Sequence, residues 1–187
     1  MRLVLLGAPG SGKGTQGALL AQRLGVPLVS TGELLRAQAA AGTDIGQKVR
    51  TYLDRGDLVP DDVLLAALDA ALRSTMTAGG YVLDGFPRTL AQARHAEEVA
   101  APDAVIHLAV PDDVARRRLA GRAGTNRTDD TDPEVIERRL RRYHSQTVPL
   151  LDFYRERGIL HTIDAAQPPE AVSAAIMDVT RSLPDGP

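Results

Sequence analysis

The stretch Gly7-Ala8-Pro9-Gly10-Ser11-Gly12-Lys13-Gly14-Thr15 decides how the rest of the chain is read. It follows a short apolar run, Arg2–Leu6, and opens a helical pattern over Lys13–Leu24. Gly7, Gly12 and Lys13 have the spacing of a P-loop. Glycines let backbone N–H groups turn inward around phosphate oxygens without a Cβ clash. The helix N-terminus adds partial positive charge, and Lys13 can reach terminal phosphates. The competing reading is a Gly-rich turn that merely joins strand to helix. It is disfavoured because strand, loop, lysine and helix are all present. Gly10, Ser11, Gly12, Lys13, Gly14 and Thr15 are therefore the candidate triphosphate cradle. One departure is informative. Position 14 is Gly, where most P-loops place the Ser or Thr that binds Mg²⁺. The hydroxyl comes one residue later, at Thr15, so no direct protein ligand for the metal is assigned.

Outward from this loop, short apolar runs alternate with amphipathic ones, the pattern of helices around a parallel sheet. Strands are read at Arg2–Leu6, Pro27–Ser30, Tyr81–Asp84, Ala104–Val110 and Leu160–Ile163. Helical patterns cover Lys13–Leu24, Val63–Thr77, Ala91–Ala100 and Val114–Leu119. The longest runs from Pro133 to Arg157, after Asp132 as N-cap, with a bend expected near Pro149. The fold class is α/β: a five-stranded parallel sheet of P-loop NTPase type, flanked by helices. Its ligand crevice belongs at the C-terminal strand ends. Two segments break the alternation. Residues 31–60 insert extra helix between the second and third strands, and residues 121–132 form a polar stretch rich in Gly, Thr, Asn, Arg and Asp.

Composition narrows the function. With 187 residues, 43% of them hydrophobic, the chain can bury one sizeable core. A single domain, 1–187, is expected, with its core in residues 1–29, 60–120 and 132–187. Lys and Arg total 22 against 24 Asp and Glu, a net charge of −2. That balance argues against a general nucleic-acid or membrane binder, so anion sites must be built from local Arg and Lys clusters. The absence of Cys excludes disulfides and thiolate zinc sites and fits a cytoplasmic location. No apolar run reaches the length of a membrane span. The four histidines, His95, His107, His144 and His161, lack metal-ligand spacing.

Further motifs sharpen the reading. Gly12-Lys13-Gly14-Thr15-Gln16 closes the P-loop. Asp84-Gly85-Phe86-Pro87-Arg88-Thr89 ends the third strand and is followed by Gln92-Ala93. Ser30-Thr31-Gly32, Leu35-Arg36 and Gly56-Asp57-Leu58-Val59-Pro60 punctuate the insert. Together these segments resemble the adenylate kinase family over nearly the whole chain. The resemblance implies reversible phosphoryl transfer from MgATP to AMP, giving two ADP, by a monomeric enzyme of adenine nucleotide balance. It also implies that residues 30–59 close over AMP and residues 121–131 close as a lid over ATP. A lid this short, with no Cys, resembles the short-lid branch without structural zinc.

The resemblance carries residue roles with it. Lys13, Arg88, Arg122, Arg127, Arg139 and Asp84 match the catalytic set. Arg118, Arg122 and Gln167 match ATP contacts. Thr31, Arg36, Asp57, Leu58, Val59, Gly85, Phe86, Pro87, Arg88, Gln92, Arg127 and Arg139 match the AMP side. Asp84 matches a carboxylate that holds Mg²⁺-bound water, and Phe86-Pro87 matches a cis peptide in the family. Two positions stay open. Counting back from Leu140 favours Arg139 as the clamping residue, whereas counting forward from Arg127 favours Arg138. Asp129 and Asp130 fit either ordinary loop acids or groups that bond the ATP side. Arg138, Arg141 and Arg142, like Arg116 and Arg117, are read as a solvated helix face.

These residue types suit the chemistry. The nucleophile belongs to the acceptor, so the protein's task is positioning and charge stabilisation. Arginine's planar fork grips phosphate oxygens in pairs and stays charged. The nearest rival is a UMP/CMP kinase, but Thr89 and Gln92 tilt the acceptor to AMP. An inactive regulatory module would lack the arginines, and a small-metabolite kinase usually keeps Ser or Thr after the P-loop lysine.

Overall fold

A computed structural model describes the chain except residues 43, 56–58, 66–67, 69–78, 122–131 and 184–187. Five strands run β1 (Arg2–Gly7), β2 (Leu28–Ser30), β3 (Tyr81–Asp84), β4 (Ala104–Ala109) and β5 (Leu160–Asp164). They form one parallel sheet in the order β2-β3-β1-β4-β5. The chain leaves β1 toward one edge and then returns past it to the other. That reversal opens a crevice at the carboxyl end of β1. Register places Ser30 and Leu5 beside Asp84, and Gly7 beside Leu108, so the loops that follow share one rim.

Period-two alternation along β1 divides the core. Val4 and Leu6 face a cluster that includes Leu83, Val105, Leu150 and Tyr154. Leu3 and Leu5 face the other side, with Leu20, Ile106, Ile163 and Ile176. Each fully buried leucine contributes ~1.5–3 kcal/mol of transfer free energy. The helices that cover the second face are α1 (Lys13–Leu24) and the C-terminal helix Pro169–Ser182. Close contact matters here: a Cβ at Gly17 of α1 would stand 3.1 Å from both Leu5 and Leu28 side chains.

The insert contains two helices, α2 (Thr31–Ala40) and α3 (Asp44–Asp54). Ser30 caps α2 by accepting from the Glu33 N–H. The expected Val63–Thr77 helix is seen at residues 61–65 and 68, and its remainder lies outside the described residues. Next come α4 (Leu90–Ala100), capped by Thr89, and α5 (Asp112–Ala120), with Asp112 and Asp113 in its first turn. The acids suit the positive end of the helix dipole.

The long run after Asp132 differs from its reading. Asp132 does cap it, but it is not one helix with a bend. It divides into α6 (Pro133–Arg142), a π-helical turn (Tyr143–Thr147) and α7 (Pro149–Glu156). Pro149 has no N–H to give and its ring crowds the preceding turn. The chain widens instead, with the Val148 N–H donating to Tyr143 O at 2.9 Å. π-Turns of this kind absorb one extra residue and recur at functional sites. The C-terminal helix Pro169–Ser182 is α8.

Two buried tyrosines provide a test of the core. The Tyr81 hydroxyl donates to Ala100 O at 2.7 Å, and burial pushes its pKa up to about 12. The Tyr154 hydroxyl is buried without a hydrogen-bond partner among the described residues. Tyr81→Phe is expected to cost about 1–2 kcal/mol by leaving a buried carbonyl without its donor. Tyr154→Phe is expected to be neutral or stabilising by up to about 1 kcal/mol. Urea unfolding of both variants checks the contrast, and equal losses would contradict it.

Candidate active site

At the carboxyl rim of the sheet lies a cleft of about 540 Å³. Its floor is the loop from Gly7 to Gly12. Gly12 stands at the α1 N-cap with φ 97°, no side chain caps that end, and no acid sits in its first turn. The unsatisfied N–H groups and the positive helix end are thus left for an anion. Gly7 and Gly10 are needed for space as well. A Cβ would fall 2.6 Å from Ser11 Oγ at Gly7 and 2.7 Å from Ala115 O at Gly10. Ser11 itself is buried beneath the loop. Lys13 Nζ donates to Gly7 O at 2.7 Å and Ala8 O at 2.9 Å, folded back on its own loop.

Asp84 ends β3 and faces the loop: a Cβ at Gly14 would lie 3.8 Å from its Oδ2. Gly14 thereby leaves room between helix and carboxylate. Thr15 is exposed on the same wall. One carboxylate beside a phosphate cradle fits Mg²⁺, which binds through one or two carboxylates, phosphates and waters. No group of three or more His, Cys, Asp or Glu among the described residues could hold a metal by itself.

The opposite wall belongs to the insert and the turn after β3. Thr31 is buried and its hydroxyl donates to Asp84 O at 3.2 Å. Gly85 has φ 85°, and a Cβ there would sit 2.5 Å from Thr31 Oγ1 and 3.2 Å from Arg88 Nη2. No side chain can enter that corner. The Phe86-Pro87 bond is cis, with Phe86 buried and Pro87 on the cleft wall. Arg88 Nε donates to Gly85 O at 2.8 Å. Gln92 is buried, accepting from the Arg88 N–H at 2.7 Å and donating to Asp61 Oδ1 at 2.6 Å. Arg36 also lines the cleft, with its Nη1 3.3 Å from where a Gly32 Cβ would be. Val59 closes this wall.

The fourth side comes from α6 and the π-turn. Leu140 and Ile136 pack with Ala8, Ala115 and Leu119 beneath the phosphate loop. That packing turns Arg139 into the cleft and Arg138 away from it, into a small recess with Glu134 and Arg141. Of the two candidate clamping residues, only Arg139 lines the cleft. The solvated-face reading of Arg142 needs correcting. Arg142 lies one turn beyond Arg139 on the same face and lines the cleft, as do Tyr143, Gln146 and Thr147. The signal was present as the i, i+3 spacing from Arg139. Arg116 and Arg117 do form surface ion pairs, with Glu137 and Asp113.

Burial lowers the Arg88 pKa, and the charge of Arg139 lowers it further, followed by smaller effects of Arg142 and Arg36. Asp84 acts in the opposite direction. Guanidinium groups whose charges act on one another in this cleft favour the arrival of an anion, and a phosphate is such an anion.

A family model for adenylate kinase matches residues 5–159. The chain belongs to the adenylate kinase family. It is 44% identical to the adenylate kinase of Thermobifida fusca, over 97% of this chain and 99% of that protein. The adenylate kinase of Stenotrophomonas maltophilia (strain K279a) is also 44% identical, over 95% and 97% of the two chains. That of Xanthomonas euvesicatoria is 45% identical over 88% and 90%.

The segment after β5 carries Gln167, one of the expected ATP contacts of this adenylate kinase family member. Arg118 does not line the cleft. It donates to Ala165 O at 2.8 Å and Ala166 O at 3.3 Å, bracing that loop. Gln16 braces the far end, donating to Pro169 O at 2.9 Å. Gln167 lies between them and donates to Asp164, whose pKa is lowered by that bond. Arg122, Arg127, Asp57, Leu58, Asp129 and Asp130 lie outside the described residues. Asp61 and Gln16 were not singled out from sequence, because a lone Asp after Pro60 and a Gln in a helix carry no spacing signal.

His107 of β4 lies beside this machinery, its Nε2 2.9 Å from Tyr143 Oη. Burial lowers its pKa, and the Lys13 charge lowers it further. The unfolded chain therefore binds the proton more readily than the folded one. This neutral histidine contributes stability in full above about pH 6.5, and the contribution is lost as pH falls toward the folded pKa. His107→Gln is expected to flatten the fall in Tm between about pH 7 and pH 5.5. Calorimetric scans across that range check it, and unchanged slopes would count against this role for His107.

Proposed function

We infer that this chain transfers the γ-phosphoryl group of MgATP to AMP, reversibly, giving two ADP. The observation that carries the reading is the cleft itself. A P-loop cradle stands on one side, and Arg36 and Arg88 stand on the other, with Arg139 on the helix beside them. That is an arrangement for two phosphate-bearing ligands facing each other.

The loop N–H groups and the α1 N-terminus would hold the ATP phosphates. Lys13 would exchange its loop carbonyls for phosphate oxygens, staying charged throughout. Mg²⁺, where bound with ATP, would offset phosphate charge, and Asp84 would hold its waters. Arg36 and Arg88 would orient the acceptor phosphate, and Arg139 would follow charge onto the transferring group. The acceptor oxygen attacks in line, the bond from the γ-phosphorus to the bridging oxygen breaks, and ADP leaves. Thr31 and Gln92, with the backbone at Val59 and Gly85, would form the base pocket. Gln92 would present an adenine edge only by trading a bond with Arg88 N–H or Asp61.

Arg118 and the loop containing Gln167 would meet the adenine of ATP, with Arg122 and Arg127 approaching from the segment 121–131. Residues 30–59 and 121–131 would close to exclude water, a behaviour already established for adenylate kinase lids as a class. The protein would act as a cytoplasmic monomer on free nucleotides, without nucleic acid or membrane. Among the described residues no helix is long and apolar enough to cross a membrane.

A coupled assay with ATP and each of AMP, UMP, CMP and GMP, with and without Mg²⁺, tests the assignment. AMP is expected to be preferred by at least about 100-fold in kcat/KM, and turnover is expected to collapse without the metal. Strong UMP or CMP turnover with feeble AMP turnover would sink it. Rapid-quench mixing of enzyme with MgATP and AMP is expected to give a burst of ADP near one per site, because opening limits release. A linear onset in both directions would place the slow step in chemistry.

A further inference from the structure

We propose that Arg142 is a further substrate-binding residue, holding the acceptor phosphate together with Arg88 and Arg36. The proposal rests on the phosphotransfer reading above. Three observations support it. Arg142 ends α6 three residues, about one turn, after Arg139, and both line the same cleft, whereas their neighbours Arg138 and Arg141 do not. Packing of Ile136 and Leu140 under the phosphate loop fixes that face, so the orientation is a property of the helix. The π-turn then holds the end of α6 on the acceptor side. Thr147 Oγ1 donates to Arg88 O at 3.1 Å, and Tyr143 is anchored on His107.

The charge balance agrees. Among the described residues, Lys13, Arg36, Arg88, Arg139 and Arg142 line the cleft together with the acids Asp84 and Glu33, in a chain whose net charge is −2. Arg142 also adds to the repulsion felt by Arg88, so the two guanidinium groups share one field. An acceptor dianion between them relieves that repulsion, and each oxygen can accept a charge-assisted bond. The P-loop side already has its backbone N–H groups, and nothing there requires a second helix arginine.

The test compares Arg142→Gln with wild type, with Arg142→Lys, and with Arg141→Gln as an exposed neighbour. AMP affinity is measured by calorimetry on the ATP-free enzyme, and KM is measured for both nucleotides. Arg142→Gln is expected to weaken AMP binding and raise its KM about ten-fold, with KM for ATP changed less than about two-fold. The lysine variant is expected to recover part of the loss, and Arg141→Gln none of the effect. AMP constants for Arg142→Gln within about two-fold of wild type would overturn the proposal. So would equal rises for AMP and ATP, which mark a general disturbance of the fold. Should the glutamine variant fail to fold, Arg142→Lys decides: unchanged AMP constants overturn the assignment and a selective loss upholds it. A wild-type enzyme that did not turn over AMP at all would instead remove the phosphotransfer reading, a separate outcome.

Discussion

Repulsion among arginine side chains gathered at one cleft is the interaction on which this structure turns. Arg36, Arg88, Arg139 and Arg142 are brought to that cleft, where the Asp84 carboxylate opposes the effect of the other arginines on Arg88. Left to themselves, such groups would separate into water. They stay together because each is carried by an element that is fixed for other reasons. Arg88 follows β3, an interior strand flanked by β2 and β1. Arg139 and Arg142 ride a helix packed beneath the phosphate loop, and Arg36 sits in the first helix of the insert. The apolar core holds the positive charges in place, and a phosphate ligand relieves them.

The same logic explains the backbone at the rim. Gly7, Gly10 and Gly85 are each pressed against a neighbour that a Cβ would strike. At Gly85 that neighbour is Thr31 on one side and Arg88 on the other. The site is therefore packed from below by leucines and closed from the sides by glycines. The charged groups Lys13, Arg36, Arg88, Arg139 and Arg142 share the cleft so formed. Preorganisation of this kind suits a reaction in which positioning and charge do most of the work.

The segment from Asp132 to Gly158 links the two requirements. Its first helix presents arginines, its last packs Leu150 and Tyr154 into the core, and Pro149 stands between them. A straight helix could not satisfy both, since the proline breaks the hydrogen-bond ladder. The π-turn takes up the misfit, and its side chains anchor to β4, to Asp112 at the start of α5, and to the Arg88 carbonyl. A local defect in one helix thus becomes three fastenings at the edge of the cleft.

Much of this was legible in the sequence. The five strands fall where the apolar runs predict them, within a residue or two, because a buried parallel strand needs a nearly continuous apolar run. The phosphate loop was legible because few other uses require glycines, a lysine and a helix start at that spacing. The cap at Asp132 was legible because its side chain can replace a missing backbone partner, whereas those at Ser30 and Thr89 emerged only with the structure. What the sequence could not decide was orientation. Arg138, Arg139, Arg141 and Arg142 are chemically alike, and periodicity alone does not say which helix face meets a cleft until the partner surface is present. Nor does a sequence reveal that Gln92 is held by Asp61, 31 positions away. Composition and local spacing determined the fold class and the phosphate cradle, and the resemblance of the motifs pointed to the chemistry. Tertiary packing decided which of several equal charges would take part, because only contact between distant segments sets the direction in which a side chain points.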